Sequence, residues 1–161
     1  QEGEAAVVIT LASKFSGTYQ SAVIAAADYE NICVVDGTSA AMGTGILVEL
    51  AFRLLDAGMS AEEIADALEK EKKKIVVVAL VDTLEYLKRG GRISKTAAFA
   101  GGVLNIKPVI SVTDGEIHLL GKARGSKMGN NLLVQEITRW AALISASRCC
   151  LATADSPTRF Y

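Results

Sequence analysis

Three cysteines, two prolines, one histidine and one tryptophan are all that 161 residues contain of those types, and several of these scarcities exclude a class of function. Cys33 lies inside an apolar run and Cys149 and Cys150 are adjacent. Neither arrangement draws a disulfide framework, so a reducing, cytoplasmic setting is expected. His118 alone cannot build a histidine-rich metal site, and neither Cys-x-x-Cys nor His-Glu-x-x-His spacing occurs, so no metal or other cofactor is expected. No apolar run approaches the roughly 18 residues of a spanning helix, and no charged-then-apolar leader is visible, so no stable membrane insertion is expected. A formal net charge of −1 gives no electrostatic reason to bind nucleic acid. The hydrolase elbow G-x-S-x-G is missing. Among nucleotide motifs, Gly43-Thr44-Gly45 lacks the third glycine and Gly121-Lys122 lacks the phosphate loop.

What the chain does have is a core. Half its residues are apolar, and its length suits one domain. Ala5 to Thr10 reads as a buried strand, followed by an alanine-rich helix to about Asp28. Asn31 to Asp36 is a short β-branched strand, and Gly37, Thr38 and Ser39 turn into a helix from about Ala41 to Ala57, stopped by Gly58. Ser60 and Glu63 have capping-box spacing for a third helix reaching Lys72. Lys74 to Leu80 is a continuous valine-rich run, the mark of a strand buried on both faces. Strands alternating with helices predict an α/β fold of βαβ units around a parallel sheet. Further on, Asp82 is placed to cap a short helix over Thr83 to Arg89, stopped by Gly90 and Gly91. Ser94 is placed to cap another from Lys95. Pro108 to Thr113, Asp114-Gly115 and Glu116 to Ala123 predict a hairpin with His118 exposed, and Lys127 to Ile137 a last helix.

The stretch Ser13 to Ala22 (SKFSGTYQSA) carries the chemistry. Small hydroxyl residues and one glycine sit where the first strand hands over to a helix, whose first turn leaves backbone N–H groups unpaired. Those donors, the helix dipole and the hydroxyls of Ser13, Ser16 and Thr18 favour an anionic group. The bland alternatives are plain: Ser16 is a good N-cap without any ligand, Gly17 merely starts the helix, and Ser13 and Thr18 finish the turn. Arg92, after Gly90-Gly91, and Arg124, before Gly125, stand at loop edges as planar forks suited to carboxylate or phosphate, or as solvated charge. Lys122 and Lys127 add positive potential beside Arg124, or only solubility.

The words S-K-F-S-G-T-Y-Q-S-A, Val34-Val35-Asp36, TLEYLKRGGRIS (83–94) and NIKPVISVTDGEIHLLGKARG (105–125) occur in one order and resemble the DegV family of bacterial lipid-binding proteins over about residues 5–137. The resemblance implies two α/β lobes, here parts spanning 1–72 and 73–137. It also implies a monomeric carrier subunit of a fatty acid kinase system, serving phospholipid synthesis. Such a carrier is not itself an enzyme: it holds one long-chain fatty acid and presents the carboxyl group to a separate ATP-dependent kinase. By this likeness Ser13, Ser16, Gly17 and Thr18 hold the head group, and Arg92 and Arg124 meet the kinase or the acyl-phosphate. Ala12 stands where relatives often have a second serine. Phe15, Ile46, Leu47, Phe99, Val103, Leu104 and Ile106 are expected walls of an acyl slot between the lobes, or ordinary core. Burying about 14 methylenes at ~0.8 kcal/mol each gives about 11 kcal/mol, far above the head-group contribution. The alternatives are a module that binds a small anion or phosphorylated metabolite at the same helix start, and a fragment that binds nothing.

Both ends are expected to be incomplete. The chain starts at Gln1 and at once enters a core strand, whereas relatives carry an earlier segment with a Thr-Ser-Gln-Pro word and a later one with a histidine. Residues 138–161 depart from the family pattern. Allowed codons for AALISASRCCLATADSPTRFY (141–161), read one base earlier, spell GGIDFSKPLLLGYSGLSDALL, which looks like what relatives have there. A reading-frame slip near Thr138 to Arg139 is therefore expected, and the nucleotide sequence tests it.

Overall fold

The structure, a computed structural model, describes residues 4–93, 105–143 and 149–153, and the chain divides into two compact units, Gln1–Ile75 and Val76–Tyr161.

In the first unit, β1 (Ala6–Thr10) and β2 (Ile32–Asp36) pair in parallel, Ala6 opposite Ile32 through Thr10 opposite Asp36. Parallel neighbours need a crossover, and α1 (Thr18–Ala26) supplies it. Next come α2 (Met42–Asp56) and α3 (Ala61–Glu71), then a 3-10 turn over Lys72–Lys74. The capping box is present: Ser60 Oγ accepts the Glu63 N–H at 3.2 Å and a Glu63 carboxylate oxygen accepts the Ser60 N–H at 2.8 Å. Ile64 and Leu68 then fall on one face of α3 and close the core with Val35, Leu47 and Ile75. The mostly charged opposite face of α3 is left to water, as a helix of period 3.6 requires.

The second unit is a four-stranded sheet in the order β5-β4-β3-β6, built from β3 (Val76–Leu80), β4 (Ile106–Thr113), β5 (Glu116–Arg124) and β6 (Cys149–Thr153). The βαβ pattern predicts parallel neighbours and the Asp114-Gly115 turn a hairpin, and the second unit holds both, with one further antiparallel pair, β3–β4, that the pattern does not predict. There β6 runs parallel to β3, but β4 runs antiparallel to both β3 and β5. Asp114 and Gly115, at φ 54° and 69°, reverse the chain in two residues, a geometry that asparagine, aspartate and glycine tolerate. No crossover helix intervenes, so the strands must oppose. Two short clusters cover the faces of β3. Val76, Val78 and Leu80 pack with Val109 and Leu133 of α5 (Gly125–Leu143). Ala79 packs on the other side with Leu84, Ile93 and Ile110.

Several boundaries move from expectation. Asp82 does not cap the short helix α4 (Glu85–Arg89): its carboxylate pairs with Lys107, and the Thr83 hydroxyl accepts the Glu85 N–H at 3.1 Å instead. Helix α5 runs on through Thr138 to Leu143, with Trp140 packed against the β3–α5 cluster. The strand β6 lies within the segment 138–161 and pairs in register with β3, Val76 opposite Cys149. The helix expected from Lys95 lies outside the described residues.

Candidate functional site

The parallel pair β1–β2 ends in two loops that are tied together. From the first loop, the Ala12 N–H donates to the Ser39 carbonyl at 2.7 Å. The Ala12 carbonyl in turn accepts from Phe15 and Ser16 at 2.9 and 3.3 Å, folding residues 12–16 into a tight turn. From the second loop, Asp36 Oδ1 accepts the N–H of Thr38 and the N–H of Ser13, both at 3.0 Å. The first bond is a local aspartate turn, of the kind that competes with regular structure in sequences such as Asp-Gly-Thr-Ser. The second spans 23 residues. Lys72, its side chain only 10% exposed, donates to the Asp36 carbonyl at 2.9 Å and pairs with Glu69 at 2.7 Å.

Gly37 is required here by space. A Cβ on it would stand 2.4 Å from the Thr10 carbonyl oxygen, a backbone atom that cannot swing aside. The loop also holds Thr38 and Ala41 at φ 47° and 50°, an uncommon conformation for residues with a Cβ. Strain of this kind collects where function or tight packing over-determines the backbone. Ser39 is 2% exposed, and its hydroxyl, like that of Thr44, has no hydrogen-bond partner among the described residues.

At the start of α1 the N-cap residue is Gly17, not Ser16 as expected, and no side chain caps it in the usual way. Ser16 stands one residue earlier, and its Oγ accepts the Thr18 N–H at 3.2 Å. The Ser16 and Thr18 hydroxyl oxygens lie 2.7 Å apart. Two hydroxyls hold two protons, and only one is used between them. Whichever way the pair is oriented, one proton is left to donate outward. A Cβ added at Gly17 would meet nothing within 4 Å, so the space beside Gly17 on that side is open.

Ser13 has a different place. Its N–H is bound by Asp36, and its hydroxyl also helps to hold that carboxylate. The anion nearest to Ser13 is therefore the protein's own. Partial burial pushes the Asp36 carboxyl up, but the Ser13 hydroxyl, the Thr38 and Ser13 amides and the Lys72 charge outweigh it and hold the group below the usual aspartate range. The sign follows: a lowered folded pKa gives stability that is fully present above the unfolded aspartate value (about 3.9) and is lost as pH falls through the lower folded value. On acid titration the Ser13 and Thr38 amide resonances are expected to hold steady at pH values where freely exposed carboxylates already protonate, then to move together. Movement of either alone would show that Asp36 does not join them.

The remaining expected residues are scattered. Phe15 is half-buried in the first loop, and Ile46 is half-buried against the cluster of Val35 and Leu47. Leu47 is 0% exposed and belongs to the core. In the second unit, Ile106 opens β4 opposite Arg124, which is exposed at the end of β5. Arg92 is exposed, and its guanidinium donates to the Gly90 carbonyl. Phe99, Val103 and Leu104 lie outside the described residues. An apolar groove of about 540 Å³ runs along the first unit, lined by Val7, Ile9, Val48, Phe52, Leu55 and Met59 among others, and none of the expected slot residues lines it. Cys33 on β2 has its thiol pushed up by burial and by Glu62 and Asp66, which disfavours the reactive thiolate. No three metal-ligating side chains gather among the described residues, and no described helix is long and apolar enough to cross a membrane.

The parallel pair β1–β2 with its crossover helix α1 places the first unit in the α/β class. The chain belongs to the DegV family, whose model, described as "Uncharacterised protein, DegV family", matches residues 1–159. It is 44% identical over 123 residues to the DegV domain-containing protein TTE1491 of Caldanaerobacter subterraneus subsp. tengcongensis, covering 75% of this chain and 44% of that one. Among solved structures it is similar to a stearic acid-binding protein from Eubacterium ventriosum, with TM-score 0.77, 33% identity, and 88% of this chain and 50% of that one covered. A DegV family protein from Thermus thermophilus, described by its fatty acid binding, gives TM-score 0.76 and 30% identity over 94% of this chain and 65% of that one. The Fatty Acid Kinase (Fak) B3 protein of Streptococcus pneumoniae, loaded with linoleic acid, gives TM-score 0.67 and 25% identity over 94% of this chain and 66% of that one. The chain spans about half the length of the curated relatives it matches.

Proposed function

We propose that the protein holds one long-chain fatty acid with its carboxyl group at the start of α1, presents that group to a separate ATP-dependent kinase, and performs no chemistry itself. The carrying observation is the Ser16–Thr18 hydroxyl pair, 2.7 Å apart beside an unobstructed Gly17, in a chain 33% identical to a stearic acid-binding protein. An outward hydroxyl proton and the amides of a helix start offer a carboxylate charge-assisted hydrogen bonds. Ser13 supports the loop rather than the ligand. The residues expected to wall the acyl chain are Phe15, Ile46, Phe99, Val103, Leu104 and Ile106, of which Phe99, Val103 and Leu104 lie outside the described residues, and burial of the chain supplies most of the affinity. Arg92 and Arg124 face the kinase or the acyl-phosphate. The setting is a bacterial cytoplasm in which the acyl-phosphate feeds phospholipid synthesis.

Native mass spectrometry of the purified chain is expected to find a co-purifying long acyl ligand; a small polar ligand would overturn the reading in favour of a small-anion module. With oleate as probe, Ser16→Ala combined with Thr18→Ala is expected to weaken binding by about 10- to 100-fold, since hydrogen bonds to charged groups contribute roughly 1.5–3 kcal/mol each. Unchanged affinity would remove the hydroxyl pair from the site.

A further inference from the structure

Asp36 is joined to both loops at the carboxyl ends of β1 and β2, and nothing in the proposed chemistry requires a carboxylate there. A negative charge close to a site for an anion is a cost unless it does something else. The bonds show what it does. One oxygen, Oδ1, takes the Thr38 N–H two residues on and the Ser13 N–H 23 residues back, each at 3.0 Å. The first bond holds Thr38 in its left-handed conformation at φ 47°. The second fixes the start of the turn whose next bonds run from Phe15 and Ser16 to the Ala12 carbonyl. The position of Ser16 is thus set through a short chain of bonds: Asp36 to Ser13, and Ser39 to Ala12 to Ser16. Lys72 donates to the backbone carbonyl of Asp36 and leaves the carboxylate for the loops.

We propose that Asp36 is the positioning residue of the head-group site, a clamp that sets the Ser16–Thr18 hydroxyls at the height where a ligand carboxylate meets them. The proposal rests on the reading of that pair as the head-group donors. It separates acceptor geometry from charge. An asparagine at this position keeps an oxygen in the same place, whereas alanine removes it. A clamp acting through geometry is therefore lost in Asp36→Ala and largely kept in Asp36→Asn.

The test uses the whole chain, with oleate and methyl oleate as paired probes and amide hydrogen exchange as an independent readout. In Asp36→Ala the Ser13 and Thr38 amides are expected to exchange at least about tenfold faster, and oleate affinity to fall by about tenfold, the effect of one lost hydrogen bond. Methyl oleate, which lacks the carboxylate, is expected to change by less than about twofold, a contrast that general loosening of the fold would not produce. Asp36→Asn is expected to recover most of both effects, and it carries the test if the alanine variant does not fold. Equal losses for the two probes, or unaltered Ser13 exchange, would overturn the clamp. Failure of the unaltered chain to bind oleate would instead overturn the head-group reading beneath it, and the exchange data would still report whether Asp36 joins the loops.

Discussion

Leu47→Ala is expected to cost the first unit about 2–5 kcal/mol, the largest effect of any single truncation considered. Leu47 is 0% exposed and meets Val35, Ile64, Leu68 and Ile75 in one cluster. Its removal takes away both the transfer free energy of the side chain and the contacts of the cavity walls. The walls cannot close easily, because they come from a strand, a helix and the end of a 3-10 turn, each held by its own backbone bonds. Cδ1 of Leu47 also lies 3.5 Å from where a Cβ on Gly37 would be, so the cavity opens directly beneath the loop that carries Asp36. Denaturant titration followed by circular dichroism measures the loss as a shift in midpoint. A loss under about 1 kcal/mol would mean that the cluster collapses to fill the space.

Gly37→Val is the second. The φ angle of Gly37 is not in the left-handed region, so the objection is purely steric: any Cβ there comes within 2.4 Å of the Thr10 carbonyl oxygen. The Gly37 N–H already donates to that same oxygen at 3.0 Å, which ties the end of β1 to the turn. Relief requires the two strand ends to separate, and overpacking of this kind costs about 1–3 kcal/mol. Separation also stretches the Asp36–Ser13 bond across the same gap. Oleate binding is therefore expected to fall more steeply than stability, by more than about tenfold, because one displaced loop disturbs every donor built on it. A Gly37→Val protein with an unshifted denaturation midpoint and undiminished oleate affinity would show that the strand ends tolerate a gap that the structure does not contain.

How much was legible beforehand differs between elements for a physical reason. The Ser60–Glu63 box, the Gly58 stop after α2 and the Asp114-Gly115 turn all read correctly, since each is decided by residues within about four positions of one another. The start of α1 was nearly right, but the hydroxyl that bonds its first turn belongs to Ser16 outside the cap. Gly17 takes the cap position because the turn back to Ala12 holds Ser16 one residue too early. Asp82 misled because it had a stronger partner in Lys107, 25 residues away. Ser13 misled for the same kind of reason. Its donors point at Asp36, and no local pattern records that pairing. Asp36 itself was visible only as part of Val34-Val35-Asp36, the end of a strand.

Residue order alone determined the α/β class, the alternation of strands and helices, the hairpin and the hydroxyl-rich helix start, because propensity, capping and periodicity act over a turn or two of chain. Only the tertiary structure decided that β4 also runs antiparallel to β3, which donors remain for a ligand, and that an aspartate from the second loop governs the first. Those outcomes depend on bonds between residues 23 or more positions apart, and a hydrogen bond of that reach forms only after packing has brought its two ends together.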